Sequence, residues 1–313
     1  MEKHFSVLLK ESIAALNLKE DSIIVDCTLG YGGHSSYILQ RIKKGFLFAF
    51  DQDSEAIRHS TNRLSAIGTN FTIIKSNFVN LKSELEKQGI TEVDGILFDL
   101  GVSSPQLDDA SRGFSFHEDA KLDMRMDKDN PLSAYGVVNT YSKEKLADIF
   151  YKYGEDKFSR NIAKKIVEYR EQKPIETTLE LVEIIKSAVP MKFRKEKHPA
   201  RQIFQAIRIE VNHELDVLEP ALEQALSLIK VGGRVAVITF HSLEDRTVKR
   251  IFKEKCKIDD KVKGLPNIPD EYLPDFKLVV NKAILPSEEE LEQNNRSRSA
   301  KPVSYTHLTL PTI

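Results

Sequence analysis

The sequence predicts an α/β protein, a doubly wound and largely parallel sheet interrupted by a helical insertion. Three observations point there. Near-continuous apolar, β-branched runs alternate with helical periodicity through the first hundred residues. Runs of that kind suit strands covered on both faces. A glycine cluster, Gly30-x-Gly32-Gly33, stands between the first such run and the helix after it. The alternation then stops near Ala110 and resumes near Gln202.

The first strand is read at Ser22–Asp26, and Gly45–Asp51, Phe71–Ile74 and Asp94–Asp99 follow. Between them, Ser35–Ile42, Ser54–Ala66 and Leu81–Gln88 carry helical spacing, which predicts βαβ units. From Ala110 to Pro199 no strand run of comparable strength occurs. A long loop, Arg112–Pro131, leads into polar helical stretches at Lys143–Tyr153, Phe158–Arg170 and Thr178–Val189. An amphipathic helix then spans Gln202 to Ile229, where Pro220 predicts a kink or a two-part helix. After Gly232-Gly233 come a fifth strand at Arg234–Phe240 and a sixth at Phe276–Val280. Gly264–Pro274 and Pro286–Glu292 read as loops, and no internal repeat is visible. The expected organisation is an α/β domain formed by residues 1–109 and 202–301, with a helical domain at 110–201 inserted in it. Residues 302–313 form a tail with an abrupt change of composition.

Of the 313 residues, 41% are hydrophobic and 30% charged, enough for one large domain or two modest ones. A net charge of −1 argues neither for nor against nucleic acid, since a basic face can be cancelled elsewhere. Two cysteines, Cys27 and Cys256, exclude a disulfide framework and a cysteine-rich metal site, and suit a reducing compartment. The eight histidines lack ligand spacing, so no metal is expected. The first residues do not read as a signal peptide, and no apolar run reaches the roughly 20 residues that span a bilayer. A soluble, cytoplasmic chain is expected.

The glycine turn permits close approach of backbone to a ligand. Asp51, closing the second strand, can accept hydrogen bonds from both hydroxyls of a cofactor ribose. Phe78, after the third strand, could cover an adenine, and Asp99 closes the fourth. The spacing is not Gly-x-Gly-x-x-Gly, and no basic residue waits for a pyrophosphate. That favours S-adenosylmethionine, which has no phosphates, over a nicotinamide dinucleotide. A glycine turn chosen only for chain reversal is the plainer alternative, and Asp51 alone could be a helix cap.

Beyond the fourth strand lie Asp99-Leu100-Gly101-Val102-Ser103-Ser104-Pro105-Gln106, at the sheet edge where open α/β folds bind ligands. Methyl transfer to an exocyclic amine needs an acceptor that holds the N–H and favours the attacking form, with the sulfonium in line. Asp99 is the candidate catalytic acceptor, and could equally hold the donor's methionine amino group. Ser103 and Ser104 also suit simple turn chemistry before Pro105. Thr239 to Arg246, after the fifth strand, can face the same site, although a lone His241 near an acid is more often structural. No Gly-x-Ser-x-Gly elbow supports a hydrolase.

These residues resemble the bacterial ribosomal RNA small-subunit methyltransferase H family. The matching segments include Val7–Glu11, Gly32–Ser35, Asp94–Asp108, Arg112–Phe116, Leu122–Asp127, His198–Arg201, Phe204–Ile209, Phe240–Arg246 and Arg296–Ser299. The resemblance implies a class I, Rossmann-like methyltransferase that moves a methyl group from S-adenosylmethionine to N4 of a cytosine in the decoding region of small-subunit ribosomal RNA. It implies that the donor is held by the backbone of Gly32, Gly33 and His34, and by Asp51, Phe78, Asp99 and Gln106. It also implies an insert that helps recognise the RNA, within an assembling 30S subunit. In keeping with that, Lys152 to Arg201 holds 13 basic against 8 acidic residues, charge of the kind that binds phosphates without reading sequence. Two departures stand out: Ser6 where the family has proline, and Pro302–Ile313 in place of a charged final strand. That tail reads as foreign, and Pro302 is expected to cost the last strand a ladder donor. Other readings are a methyltransferase for another amine, a nicotinamide oxidoreductase, and a non-catalytic RNA-binding or assembly factor.

Overall fold

The computed structural model describes residues 6–194, 198–258, 261–262, 266–269, 272–279, 288–293 and 300–307. The chain begins α1 (Leu9–Leu16), β1 (Ile23–Asp26), α2 (Gly33–Leu39), β2 (Phe46–Asp51), α3 (Ser54–Ser65), β3 (Phe71–Lys75), α4 (Leu81–Lys87) and β4 (Val93–Asp99). A helical stretch follows: α5 (Ser104–Asp108), α6 (Ala134–Thr140), α7 (Lys143–Lys152), α8 (Ser159–Arg170), α9 (Thr178–Ala188), α10 (Met191–Arg194) and α11 (Ala200–Asn212). It ends α12 (Glu214–Leu228), β5 (Ile229–Thr239), α13 (Ser242–Lys255), β6 (Phe276–Leu278), α14 (Glu288–Gln293) and β7 (Lys301–His307). Two compact units result, Met1–Gly101 with Leu215–Ile313, and Val102–Glu214. Among the described residues no helix is long and apolar enough to cross a membrane.

The first unit is built on a seven-stranded sheet in the order β3-β2-β1-β4-β5-β7-β6. β1 to β5 pair in parallel, while β7 runs antiparallel between β5 and β6. Successive residues of each strand serve opposite faces. Val25, Phe48, Phe50, Ile96, Phe98, Val235 and Val237 pack with α4, α12 and α13 residues such as Leu85, Leu222 and Phe252. Ile24, Leu47, Ala49, Leu97 and Ala236 pack on the other side with Ile13, Ile38 and Leu64 of α1, α2 and α3. Both faces being covered is why the strands read as unbroken apolar runs rather than as alternation.

The four leading strands lie where they were expected, to within a residue or so. β5 starts earlier, because Gly232 (φ 79°) and Gly233 are absorbed as an irregularity against β4 rather than ending the helix before it. A Cβ on Gly233 would meet the Asp94 carbonyl at 2.9 Å, so the close approach needs glycine. The expected two-part helix is present, but its break is not at Pro220. Pro220 lies inside α12, and the chain turns instead at His213, a left-handed residue (φ 52°) that ends α11. β7 pairs Lys301–Thr306 with β5, and Tyr305–His307 with β6. Pro302 stands opposite Ile238 without an amide to donate. Val280, Lys195, Lys197, Arg296–Ser299, Leu308–Ile313 and parts of both expected late loops lie outside the described residues.

The second unit has its own core, in which Leu146, Phe150, Ile162, Ile166, Leu181, Ile185, Ile203 and Ile207 of α7, α8, α9 and α11 meet. Its helices begin on the caps their sequences offer: Ser133, Ser142 and Thr177 each accept an amide from the first turn, and Thr177 completes a reciprocal cap with Glu180. The long loop before α6 is held by polar side chains. Arg125 forms a two-point pair with Asp123 and donates to the carbonyls of Lys128 and Asn130. Asn212 accepts from the Met126 amide at 2.8 Å and donates to the carbonyls of Met124 and Arg208. Asn212→Ala removes those bonds and is expected to cost about 1–3 kcal/mol. A urea titration checks this, and an unchanged midpoint would show that the loop holds without Asn212.

Candidate active site

The parallel register fixes where the carboxylates meet. Asp26 of β1 stands opposite Ala49 of β2 and Leu97 of β4. Asp51 and Asp99 lie two residues beyond those partners, hence on the same face of the sheet. Into that edge runs the β1–α2 turn, with Gly30 at φ 50° and Gly32 at φ 75°. The Gly30 amide donates to Asp51 Oδ2 at 2.7 Å, while Oδ1 accepts from the Asp53 amide at 2.8 Å. The Gln52 amide also bonds this carboxylate. Burial nonetheless raises its carboxyl to about 6 despite those amide bonds. Behind the turn, Ser60 donates to the Gly30 carbonyl at 2.7 Å and Arg63 to that of Tyr31 at 3.1 Å.

Asp26 is buried, and accepts from the Ser35 hydroxyl at 2.7 Å and the Thr28 amide at 3.1 Å, which ties strand end, turn and helix together. Burial raises its pKa above the usual carboxylate value. Asp99 is raised much further, first by burial and then by the negative charges of Asp26 and Glu244. Its amide donates to the Thr28 hydroxyl at 2.7 Å, and its buried Oδ1 receives no hydrogen bond. Oδ2 lies 3.5 Å from Nδ1 of buried His34, whose pKa is lowered by burial to about 4.

Most of the expected residues are therefore gathered at one edge. Gly32 precedes α2, and Gly33 and His34 open it. Phe78 lies in a short 3-10 turn after β3, half-buried, with its ring edge-on to Phe98 at 5.6 Å. Gln106 belongs to the helical unit, where its side chain accepts from the Ser103 amide and completes the cap of α5. Beyond β5, His241 and Glu244 form the reciprocal cap of α13. Buried Glu244 accepts from the Phe240 amide at 2.8 Å, and its charge reaches Asp99. Sequence reading missed Asp26 as a member of the site and the approach of His34 to Asp99. The first could have been found by applying one register to all three strand ends; the second had no local signal.

An edge lined by Asp26, Asp51, Asp99 and Glu244 repels phosphate and attracts cations. The orphaned Asp99 Oδ1 lacks a donor, which an ammonium or N–H group supplies. The residues present thus fit a sulfonium cofactor carrying an α-ammonium and a ribose, and not a dinucleotide pyrophosphate. A sheet in this order, with β7 reversed between β5 and β6, is that of a class I, S-adenosylmethionine-dependent methyltransferase. The chain belongs to the MraW methylase family, which matches residues 1–304. Its activity is methyl transfer from S-adenosylmethionine to cytosine N4 of 16S ribosomal RNA. Among solved structures the chain is similar to an rRNA methylase from Streptococcus thermophilus, at 13% identity and TM-score 0.45, covering 96% of this chain and 95% of that one. It is also similar to a Streptococcus mutans protein in complex with SAH, at 12% identity and TM-score 0.44, covering 97% and 99%.

Asp51 predicts a pH effect on the unliganded protein. Its folded-state pKa of about 6 exceeds the ordinary 3.8, so between those values the folded chain binds more protons than the unfolded one. Its contribution to stability therefore falls as pH rises from about 4 to about 6, and stays low above that. Asp51→Asn should flatten this part of the profile in denaturant titrations at stepped pH. A profile parallel to wild type would mean that Asp51 ionises freely.

Proposed function

We propose that the carboxyl edge of the first unit holds the methyl donor in a defined order. Asp51 takes the ribose hydroxyls, Phe78 covers the adenine, and the backbone of Gly32, Gly33 and His34 lies along the methionine portion. Asp99 is the acceptor at the transfer centre, and binds the donor's α-ammonium. Gln106 is the further donor-binding residue that the family resemblance adds. The observation carrying this reading is the orphaned Asp99 Oδ1, a buried acceptor with no hydrogen bond beside two further carboxylates. A second reading, in which Asp99 holds the cytosine N4–H instead, draws on its position at the end of β4.

When bound, S-adenosylmethionine supplies a methyl group activated by the sulfonium. The chain's own part is to orient the amine in line with it and to exclude water. No covalent attack on the ring is required, since the nucleophile is the amine itself. The state of the cysteines agrees with that. Burial pushes the Cys27 thiol well up, with Asp26 adding to it, and burial raises Cys256 too. Neither is held as a thiolate, the form that attacks.

The helical residues 110–201 are proposed to recognise the RNA, with the cytosine presented in an assembling 30S subunit in the cytoplasm. Their basic excess supports this, although much of it is paired on the surface. Lys152 meets Asp148, Lys164 and Lys165 meet Glu168, Lys173 meets Glu180, and Lys186 meets Glu183. Exposed pairs of this kind are worth under about 1 kcal/mol each and open readily toward phosphate.

Asp99→Ala is expected to abolish turnover. Loss of S-adenosylhomocysteine affinity by tenfold or more would place Asp99 on the ammonium, and retained affinity with lost turnover would place it on the cytosine. Full activity would remove it from the site. The Cys27→Ala/Cys256→Ala double variant should fold and keep activity within severalfold; a folded but inactive protein would overturn direct transfer. Labelled methyl transfer to 30S subunits lacking the modification should exceed transfer to naked 16S RNA. The reverse order would remove the subunit from the proposal.

A further inference from the structure

His34 is the second residue of α2 and is only 4% exposed. Its Nε2 lies 3.2 Å from the Val7 carbonyl, a group that can only accept. Nε2 must therefore carry the ring proton. Burial keeps a second proton off the ring near neutral pH. Nδ1 is then a lone pair, and it faces Asp99 Oδ2 at 3.5 Å. Two acceptors turned toward each other repel unless a proton lies between them. The ring has none to offer on that side.

The other groups facing Asp99 act in the same sense. Asp26 at the end of β1 and Glu244 at the start of α13 bring negative charge. The Thr28 hydroxyl accepts from the Asp99 amide. No hydrogen bond reaches Oδ1, and among the described residues no lysine or arginine pairs with this carboxyl. The charges that reach Asp99, those of Asp26 and Glu244, are thus both negative, and the ring nitrogen nearest its Oδ2 is an acceptor.

We propose that His34 is a positioning residue that keeps a proton on Asp99 while the donor site is empty, and that the donor's α-ammonium takes that proton's place on binding. One O–H bond of Asp99 breaks, the proton passes to solvent, and the resulting carboxylate pairs with the ammonium. No electrons are transferred, and no other reactant is needed. This rests on the reading that Asp99 meets the α-ammonium, and the experiment separates the two. His34 does not touch the methyl group. It sets the ionisation of the residue that does the binding, through a tautomer imposed by Val7.

Calorimetric titration of the full chain with S-adenosylhomocysteine at pH 7.5, in buffers of differing ionisation enthalpy, counts the protons exchanged. Close to one proton released per site is expected, because Asp51 is already ionised at that pH. 5′-Methylthioadenosine, which lacks the ammonium, should release almost none. His34→Asn can offer an N–H where Nδ1 stood, so release should fall by more than half and affinity should lose its rise between pH 6 and 8. In the wild-type protein alone, the Asp99 carboxyl carbon should titrate well above the ordinary carboxylate range by NMR and move to the ionised position on ligand addition. Tight binding of S-adenosylhomocysteine with no proton release, or an Asp99 ionised at pH 6 without ligand, would overturn the proposal. Release unchanged in His34→Asn would remove His34 from it. If Asp99→Asn binds S-adenosylhomocysteine as tightly as wild type, it is the placement of Asp99 on the ammonium that fails.

Discussion

β1 is four residues long and is paired on both sides, to β2 and to β4, in parallel. Parallel pairing brings the carboxyl ends of all three strands out at one edge. The shared register then puts Asp26, Asp51 and Asp99 on one face of that edge. The glycine turn depends on the same pairing, since the Gly30 amide reaches Asp51 only because β2 lies beside β1. Ser35 and Thr28, bonded to Asp26, carry the constraint into α2. The glycine turn, Asp51 and Asp99 are therefore placed by one short strand.

The consequence is electrostatic. Carboxylates gathered at a buried edge raise one another's pKa, and burial raises them further. In the unliganded protein ionising these groups costs stability, and the raised pKa values of Asp26, Asp51 and Asp99 register that cost as a tendency to keep their protons. A cationic ligand offsets that cost when it binds, so the strain is directed at the ligand the reaction uses. A dinucleotide pyrophosphate would meet the same edge with the wrong sign.

The helical unit shows a different economy. Its helices are stabilised by an apolar core and by caps read directly from Ser133, Ser142 and Thr177. The stretch between α5 and α6, which has little regular structure, is ordered by a few polar side chains. Arg112 donates to the carbonyls of Arg125 and Met126, Arg125 binds Asp123, and Asn212 reaches from α11 to the same segment. Buried backbone groups that no helix or sheet serves need such partners. A loop rich in charge can therefore be a fixed part of the fold.

Strand and helix positions were legible in the sequence because both depend on local pattern: apolar runs for covered strands, periodicity and caps for helices. Asp51 and Asp99 were legible as strand ends followed by turns. The break at His213 was not, because a proline seven residues later gave the stronger local signal. That proline lies exposed inside α12. The strand at Lys301–His307 was expected to be compromised by its composition, yet backbone pairing to β5 and β6 depends on an available edge more than on side-chain identity. The approach of His34 to Asp99 joins residues far apart in the chain through a backbone carbonyl at Val7, so no spacing could announce it. Sequence alone determined which carboxylates end the strands. Tertiary structure decided which of their protons they keep, because ionisation depends on neighbours that only folding brings within reach.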